Sequence, residues 1–297
     1  MRHEVDLMKF GISPSPHPWW GCIENFKLWV SEIERHEYDA IFIPDHYNLP
    51  TPDFPSNALL DTWSTLAFTA AITERIRIGS CVTPIPRYIP SQIAKIISMV
   101  DVLSEGRVIA GFGSGWYREE FINYSPQGYL DEPKLRTRRF LEGLQIIIRL
   151  WHEYKVTFNG KYYRLRDAIL LPKPKQKPHP PLWLGGMSAP MLKIAAKYFD
   201  AWIPPRSRPN GERVLTPERY EGMVKVIKKY LQEYNRSVDK FTFAILGWIN
   251  DDINLIERYV RAGCQHYVID ITTILSHPKD KIDAIRRFAE EVIPSFK

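Results

Sequence analysis

The chain repeats one local pattern: an apolar, strand-like segment, then a polar or glycine-rich tip, then a helical segment. The pattern is clearest between residues 39 and 116, where three strand-like segments end in such tips. They are residues 40–44 followed by Asp45 and His46, residues 76–79 followed by 80–83, and residues 108–112 followed by 113–116. Parallel α/β enzymes place their chemistry in this way, at the carboxyl ends of their strands.

Read to its end, the chain gives eight strand–helix units in order. The predicted strands are residues 9–13, 40–44, 76–82, 108–112, 181–184, 200–204, 241–249 and 266–271. The predicted helices are residues 23–37, 60–73, 91–103, 135–152, 189–198, 217–234, 253–262 and 278–292. This alternation predicts an α/β fold, a (β/α)8 TIM barrel that forms a single domain over residues 1–297.

The rhythm breaks after the fourth strand, which predicts an insertion between units 4 and 5. Residues 116–134 form a long mixed segment, and residues 156–165 indicate a β-hairpin that turns at Asn159 and Gly160. A stiff linker rich in Pro and Lys is expected at residues 172–181. The rim of the barrel is assigned to residues 48–57, 116–133 and 204–216.

Composition narrows the class of protein. Apolar residues make up 44% of the 297, which suffices for a large core. The net charge of +6 is spread along the chain without a compact basic run, so nucleic-acid binding is not expected, whereas a small anionic ligand fits. Three widely spaced cysteines indicate a reducing compartment and no structural metal.

The location follows from two expected absences. The first 13 residues lack the apolar core of a signal peptide. No apolar run approaches the roughly 20 residues that a membrane span needs. We therefore predict a cytoplasmic protein with no membrane partner.

Asp45 and His46 are the first candidates for chemistry, because they directly follow the second predicted strand. A neutral imidazole there can accept a proton from a substrate, and a carboxylate can hydrogen-bond a cofactor or orient the ring. The alternative is a helix-capping aspartate beside a surface histidine. The position on the catalytic face of a barrel favours the functional interpretation.

Two further tips contain small residues. Ser80, Cys81 and Val82 end the third strand, where a tapering strand fits the pattern slightly better than a bulge against a flat ligand. Residues 185–188 precede a helix, and their N–H groups suit a phosphate cradle or equally an ordinary turn. Residues 111–115 lack the third glycine of a dinucleotide fingerprint, and we find no P-loop, zinc motif or nucleophile elbow.

Taken in order, these tips resemble those of the luciferase-like flavin and deazaflavin oxidoreductases, the family of bacterial luciferase. The resemblance covers nearly the whole chain. It rests on residues 44–46, 74–84, 111–121, 141–151 and 181–189. The third-strand region looks most like the branch that uses the deazaflavin coenzyme F420, and Arg87-Tyr88-x-Pro90 is similar to its sugar-phosphate dehydrogenase.

The resemblance implies roles for particular residues. Asp45 would hydrogen-bond the deazaflavin ring, and His46 would face the substrate as acid or base. The implied cofactor-binding residues are Asp45, Ser80, Cys81, Val82, Gly113, Gly185, Gly186, Met187 and Ser188. Among them, Cys81–Val82 would be a cis peptide that presses a bulge against the ring, and residues 185–188 would hold the cofactor's phosphate.

The implied function is hydride transfer between F420 and a small organic substrate, an alcohol, aldehyde or pterin-like molecule. The alternatives are an FMN-dependent monooxygenase, supplied with reduced flavin by a reductase partner, and a barrel without catalysis. Trp116 stands where the sugar-phosphate enzyme carries a catalytic Glu, which argues against glucose 6-phosphate. Glu119 and Glu120 lie nearby, but they are not assigned that role. The family usually dimerises through helices 2 and 3, so a homodimer is expected.

Overall fold

The computed structural model describes residues 8–14, 23–48, 60–206, 214–271 and 278–297. Its strands are β1 (Lys9–Ser13), β2 (Ala40–Ile43), β3 (Arg77–Ser80), β4 (Thr83–Pro84), β5 (Val108–Gly113), β6 (Val156–Asn159), β7 (Arg164–Ala168), β8 (Leu182–Leu184), β9 (Ala201–Trp202), β10 (Thr242–Trp248) and β11 (His266–Asp270). Strands β1, β2, β3, β5, β8, β9, β10 and β11 pair in parallel in that order, and β11 returns to β1. This closed ring of eight confirms the TIM barrel.

Helices cover the outside of the barrel. They are α1 (Ile23–Arg35), α2 (Thr62–Ala71), α3 (Pro90–Leu103), α4 (Arg118–Tyr124), α5 (Pro133–His152), α6 (Ala189–Tyr198), α7 (Pro217–Glu233), α8 (Ile253–Arg261) and α9 (Pro278–Arg287). Asp61 caps α2 by accepting a hydrogen bond from the Ser64 N–H at 2.8 Å. None of the helices in the described ranges is both long enough and apolar enough to cross a bilayer.

The barrel interior is filled with side chains from alternate positions of its strands, including Phe42, Ile109, Trp183 and Val268. His266 lies among them, with its ring centroid 5.0 Å from that of Trp183 and 6.0 Å from that of Phe42. Its Nε2 has no hydrogen-bond partner within the described residues. Burial lowers the pKa of this imidazole from 6.5 to about 3, so the folded protein holds the neutral ring.

This buried histidine predicts a specific loss of stability in acid. Above its ordinary pKa neither state binds the proton, whereas below it only the unfolded chain does, so stability falls as the pH drops from 6.5 towards 3. Between about pH 7.5 and pH 4.5, the free energy of unfolding of the wild type should fall about 3 kcal/mol more than that of His266→Leu. Urea titrations at both pH values measure the free energy of unfolding of each protein. An equal fall in that free energy for the two proteins would contradict the prediction.

Beyond small shifts of element ends, the structure differs from the sequence-based elements in the following three places. The third predicted strand, residues 76–82, is interrupted, because β3 and β4 each pair with β5 while residues 81 and 82 stand between them. Helix α4 forms inside the segment described from the sequence as mixed. The last predicted helix, residues 278–292, ends earlier, and a π-helical turn occupies Phe288–Val292.

The chain between β5 and β8 carries additional elements. Helices α4 and α5 come first, and β6 and β7 then pair as a separate antiparallel hairpin. The rim segments assigned to residues 48–57 and 204–216 fall largely outside the described residues, as does Cys22.

Candidate active site

The carboxyl end of β2 carries Asp45 and His46, as predicted from the sequence. Asp45 is 1% exposed, and its two carboxylate oxygens accept hydrogen bonds from the Tyr88 hydroxyl at 2.9 and 3.1 Å. Arg87 also donates to it through Nη2. Burial raises the pKa of the Asp45 carboxyl, while the guanidinium counteracts this shift. Asp45 is therefore bound within a buried network, and its hydrogen bond to a deazaflavin ring stays a prediction.

Arg87 is the centre of this network. It lies in a 3₁₀ turn, Ile85–Arg87, which follows β4 at the same end of the barrel. Its side chain is completely buried, pairs with Asp45 and with Glu120, and lies over the Tyr47 ring with 4.3 Å between the guanidinium carbon and the ring centroid. Burial disfavours its charge, but Asp45, Tyr88 and Glu120 outweigh burial and raise its pKa. Both terminal nitrogens are thus paired with carboxylates, while the buried Nε has no hydrogen-bond partner within the described residues.

Glu120 joins Arg87 to His46. It stands in the first turn of α4, where a carboxylate is favoured by the helix dipole. Its Oε2 accepts from Arg87 Nη1 at 2.5 Å and lies 3.1 Å from His46 Nδ1. Its Oε1 accepts from the backbone N–H groups of Tyr47 at 2.6 Å and of Asn48 at 3.2 Å. Burial acts to raise its pKa, but contacts with His46, Arg87 and the Tyr47 N–H lower it.

These contacts define the chemistry available to His46. An ionised carboxylate only accepts hydrogen bonds, so the Nδ1 that faces Glu120 carries the proton in the neutral ring. Nε2 then holds the free lone pair, and it can take a proton from a substrate. The His46 side chain is 18% exposed, so this nitrogen sits in a site that is sheltered and still reachable.

Aromatic side chains border this histidine. The Trp116 ring meets the His46 ring edge to face, with 5.7 Å between centroids and 70° between planes. Tyr117 lies next to Trp116 with 5.5 Å between centroids. Tyr124 packs edge to face on Tyr47 at 4.7 Å. Two of these rings remain half-exposed, Trp116 at 51% and Tyr124 at 54%.

The interruption of the third barrel strand lies beside this cluster. The peptide bond between Cys81 and Val82 is cis, as expected from the resemblance. Glycines on the neighbouring strands accommodate the segment, because a Cβ on Gly113 or Gly185 would stand 2.8 or 2.7 Å from a Val82 methyl. A Cβ on Gly111 would stand 1.8 Å from the Ser80 carbonyl oxygen. These glycines therefore let the strand end lie flat against β5 and β8.

The segment predicted as a phosphate cradle, residues 185–188, lies at the start of α6. The Gly185 N–H donates to the Phe112 carbonyl at 2.9 Å, so this group belongs to the sheet and is not free, contrary to the expectation. Gly186 has a φ of 120°, and its carbonyl accepts from the Trp202 indole at 2.8 Å. Ser188 is the N-cap residue, and its hydroxyl makes no capping bond. Pro190 in the first turn has no N–H, so the donors that could face an anion there are the N–H groups of Ala189 and Met191. Met187 is partly buried beside them.

Sequence reasoning thus found Asp45 and His46 but missed the residues that hold them. The sequence alone assigns no catalytic role to Glu120, and it gives Arg87 and Tyr88 only as part of a resemblance. The available signal was position, because all three follow barrel strands at their carboxyl ends.

The described residues of this site provide neither a metal-binding cluster nor a reactive thiol. The described residues contain no group of three or more His, Cys, Asp or Glu side chains that could hold a metal ion. Burial raises the pKa of the Cys81 thiol to about 12, which keeps it protonated and unreactive near neutrality.

Comparison with known proteins gives a family and a set of relatives. The sequence model of the luciferase-like monooxygenases matches residues 10–289. A curated relative, the F420-dependent glucose-6-phosphate dehydrogenase of Intrasporangium calvum, is 34% identical over 195 residues, which cover 62% of this chain and 56% of the relative. The matches span between 49% and 64% of the curated relatives' lengths.

Solved structures share the fold across the whole chain. An F420-dependent secondary alcohol dehydrogenase, in complex with an F420–acetone adduct, superposes with a TM-score of 0.81 at 19% identity and covers 98% of this chain and 99% of its own. The oxygenating constituent of 3,6-diketocamphane monooxygenase from Pseudomonas putida, with FMN, gives 0.77 at 14% identity and covers 98% and 99%. At these identities the likeness concerns the fold alone. The match of the family's sequence model over residues 10–289 establishes that this chain belongs to the luciferase-like monooxygenase family.

Proposed function

We propose that this protein is an oxidoreductase that exchanges a hydride between coenzyme F420 and a small organic substrate, an alcohol, aldehyde or pterin-like molecule. The observation that carries the proposal is the His46–Glu120 pair, which leaves one imidazole nitrogen free to exchange a proton. Oxidation of an alcohol releases both a hydride and a proton, so a proton acceptor is required beside a hydride acceptor. The names of the curated relatives support F420 as that acceptor.

The residues present fit such a cofactor. Gly113 and Gly185 let the Val82 side chain pack against the ends of β5 and β8, and the Cys81–Val82 segment held in this way could support a flat ring. Gly186, Met187 and Ser188 lead into α6, whose uncapped first turn suits a phosphate. When bound there, F420 would supply or accept the hydride. The chain itself would orient the ring, and His46 Nε2 would take or return the proton of the substrate hydroxyl.

Anaerobic equilibrium binding of F420 and of FMN to the purified protein tests this assignment. We expect tight binding of F420, followed by loss of the deazaflavin absorbance when the complex meets secondary alcohols. Preference for FMN, with oxygen consumption once a reductase supplies reduced flavin, would contradict the assignment. It would favour the monooxygenase alternative, to which the FMN-binding structural relative points. Binding of neither cofactor would favour a barrel without catalysis.

Glu120 is proposed to position His46 and to stabilise its protonated form. Replacing Glu120 with Gln removes a negative charge 3.1 Å from Nδ1 while keeping the side chain's shape. In alcohol oxidation, kcat should then fall about 10- to 100-fold, because the ring loses the carboxylate that orients it and balances its charge. The Kd for F420 should change little.

Glu119 provides the matched control. It precedes Glu120 on α4, is exposed, and contacts Asn123 through its backbone carbonyl. Glu119→Gln makes the same chemical change one residue away, and we expect it to leave kcat unchanged. An unchanged kcat in Glu120→Gln would instead exclude the proposed role of Glu120.

We also propose that the protein forms a homodimer through α2 and α3. These helices contact each other and carry half-exposed apolar side chains: Ile72, Ile89, Ile96 and Leu103, at 39–60% exposure. Burial of such a surface is a favourable driving force for association. Light scattering during size-exclusion chromatography should give twice the chain mass, and Ile96→Glu should give the monomer.

A further inference from the structure

We infer that the substrate presents an uncharged, apolar group to Trp116, so that the site selects ketones, aldehydes or secondary alcohols with aliphatic or aromatic substituents. The inference rests on the proposed function and names the substrate class for the same site. It follows from the placement of Trp116, the neighbouring aromatic rings and the pairing of the local charges.

Trp116 is placed to contact any substrate that exchanges a proton with His46. It follows β5 at the carboxyl end, and its ring is held edge to face against the imidazole at 5.7 Å between centroids. Half of its surface nevertheless remains exposed. A rigid indole in this position offers a wide apolar face with few rotatable bonds, which suits contact with the carbon skeleton of a ligand.

Other aromatic rings lie close to this residue and to the ionic network below it. Tyr117 packs beside Trp116, and Tyr124 packs on Tyr47, whose ring lies under the Arg87 guanidinium. The rim that these side chains form is aromatic, and ligand pockets that recognise carbon skeletons have such linings.

Charge argues against an anionic substrate. A phosphate or carboxylate is usually bound by an unpaired guanidinium or ammonium group. In the described part of the chain, the guanidinium that contacts this cluster is Arg87, which is completely buried and paired with Asp45 and Glu120. Two carboxylates therefore accompany one guanidinium, so the electrostatic potential beside His46 is negative and disfavours an anionic ligand.

Ligand-observed NMR on the F420-loaded protein tests the inference with acetone, cyclohexanone, acetophenone and glucose 6-phosphate as probes. In the wild type, Kd should tighten about 4-fold for each methylene that the indole buries. Trp116→Ala should lose about 10-fold in affinity for acetophenone and little for acetone, while Trp116→Phe keeps most of it. Tyr154→Ala removes an exposed aromatic ring outside the site and should change neither.

The outcomes separate the two proposals. If F420 binds but Trp116→Ala keeps the wild-type preference for larger ketones, the inferred substrate class is wrong and hydride transfer stands. Tightest binding of glucose 6-phosphate would overturn the inference in the same way. If F420 does not bind at all, the proposed function fails and this inference fails with it.

Discussion

Replacement of His46 with Gln is expected to lower kcat for alcohol oxidation about 1000-fold, because the glutamine amide cannot accept the proton that leaves the substrate hydroxyl. The affinity for F420 should change little, since His46 is assigned to the substrate and not to the ring. Stopped-flow measurement of deazaflavin reduction with a saturating secondary alcohol gives the rate of the chemical step directly. Fluorescence titration of the same preparation gives the affinity.

His152 supplies the control for this substitution. It is an exposed histidine at the C-terminal end of α5, and His152→Gln should leave both rate and affinity unchanged. A His46→Gln variant that retains more than about one tenth of the wild-type rate would exclude His46 as the acid–base group. A large loss of F420 affinity would instead assign the residue to cofactor binding.

Replacement of Gly111 with Ala is expected to destabilise the fold by at least about 4 kcal/mol. The added methyl would lie 1.8 Å from the Ser80 carbonyl oxygen. Gly111 and Ser80 stand in neighbouring barrel strands, so neither the methyl nor the carbonyl can rotate away. Relief of this clash requires β3 and β5 to separate just before the Cys81–Val82 peptide. Urea unfolding followed by circular dichroism measures the loss, and F420 binding should fall along with stability.

Gly222 is the matched glycine. It lies in α7, where an added Cβ would meet nothing within 4 Å. Gly222→Ala should therefore raise the free energy of unfolding by about 0.5–1 kcal/mol, since alanine restricts the unfolded chain and favours the helix. If the Gly111→Ala variant instead kept the wild-type free energy of unfolding, the ends of β3 and β5 would be able to separate at little cost in free energy.

The barrel could be predicted from the sequence because each strand and each helix is marked by a pattern of neighbouring residues. Each strand is an apolar run buried on both faces, and each helix is an amphipathic segment, so the order of units follows from the pattern alone. The break at residues 81 and 82 was harder, because Arg77 to Thr83 shows no change of pattern that separates a continuous strand from an interrupted one. Helix α4 was missed because its seven residues are too few for a clear period.

The candidate site was predicted only in part because its decisive contacts join distant segments. Asp45 and His46 are adjacent in the chain and follow a strand, so position alone revealed them. Glu120 lies 74 residues from His46 and 33 from Arg87. No spacing rule relates these three positions, and their meeting depends on the closure of the barrel. The glycines likewise suggested a cofactor, while the structure gives Gly113 and Gly185 the task of accommodating Val82.

The buried ionic cluster also limits how this protein can diverge. Asp45, Arg87 and Glu120 come from three successive units of the barrel. The loss of Arg87 would leave two buried carboxylates without their cation, and the loss of either carboxylate would remove one of the two partners of Arg87. Descendants of this sequence should therefore keep or replace the three together. Trp116 and Tyr124 are uncharged and half-exposed, so substitutions there should alter the proposed substrate range without disturbing this ionic cluster.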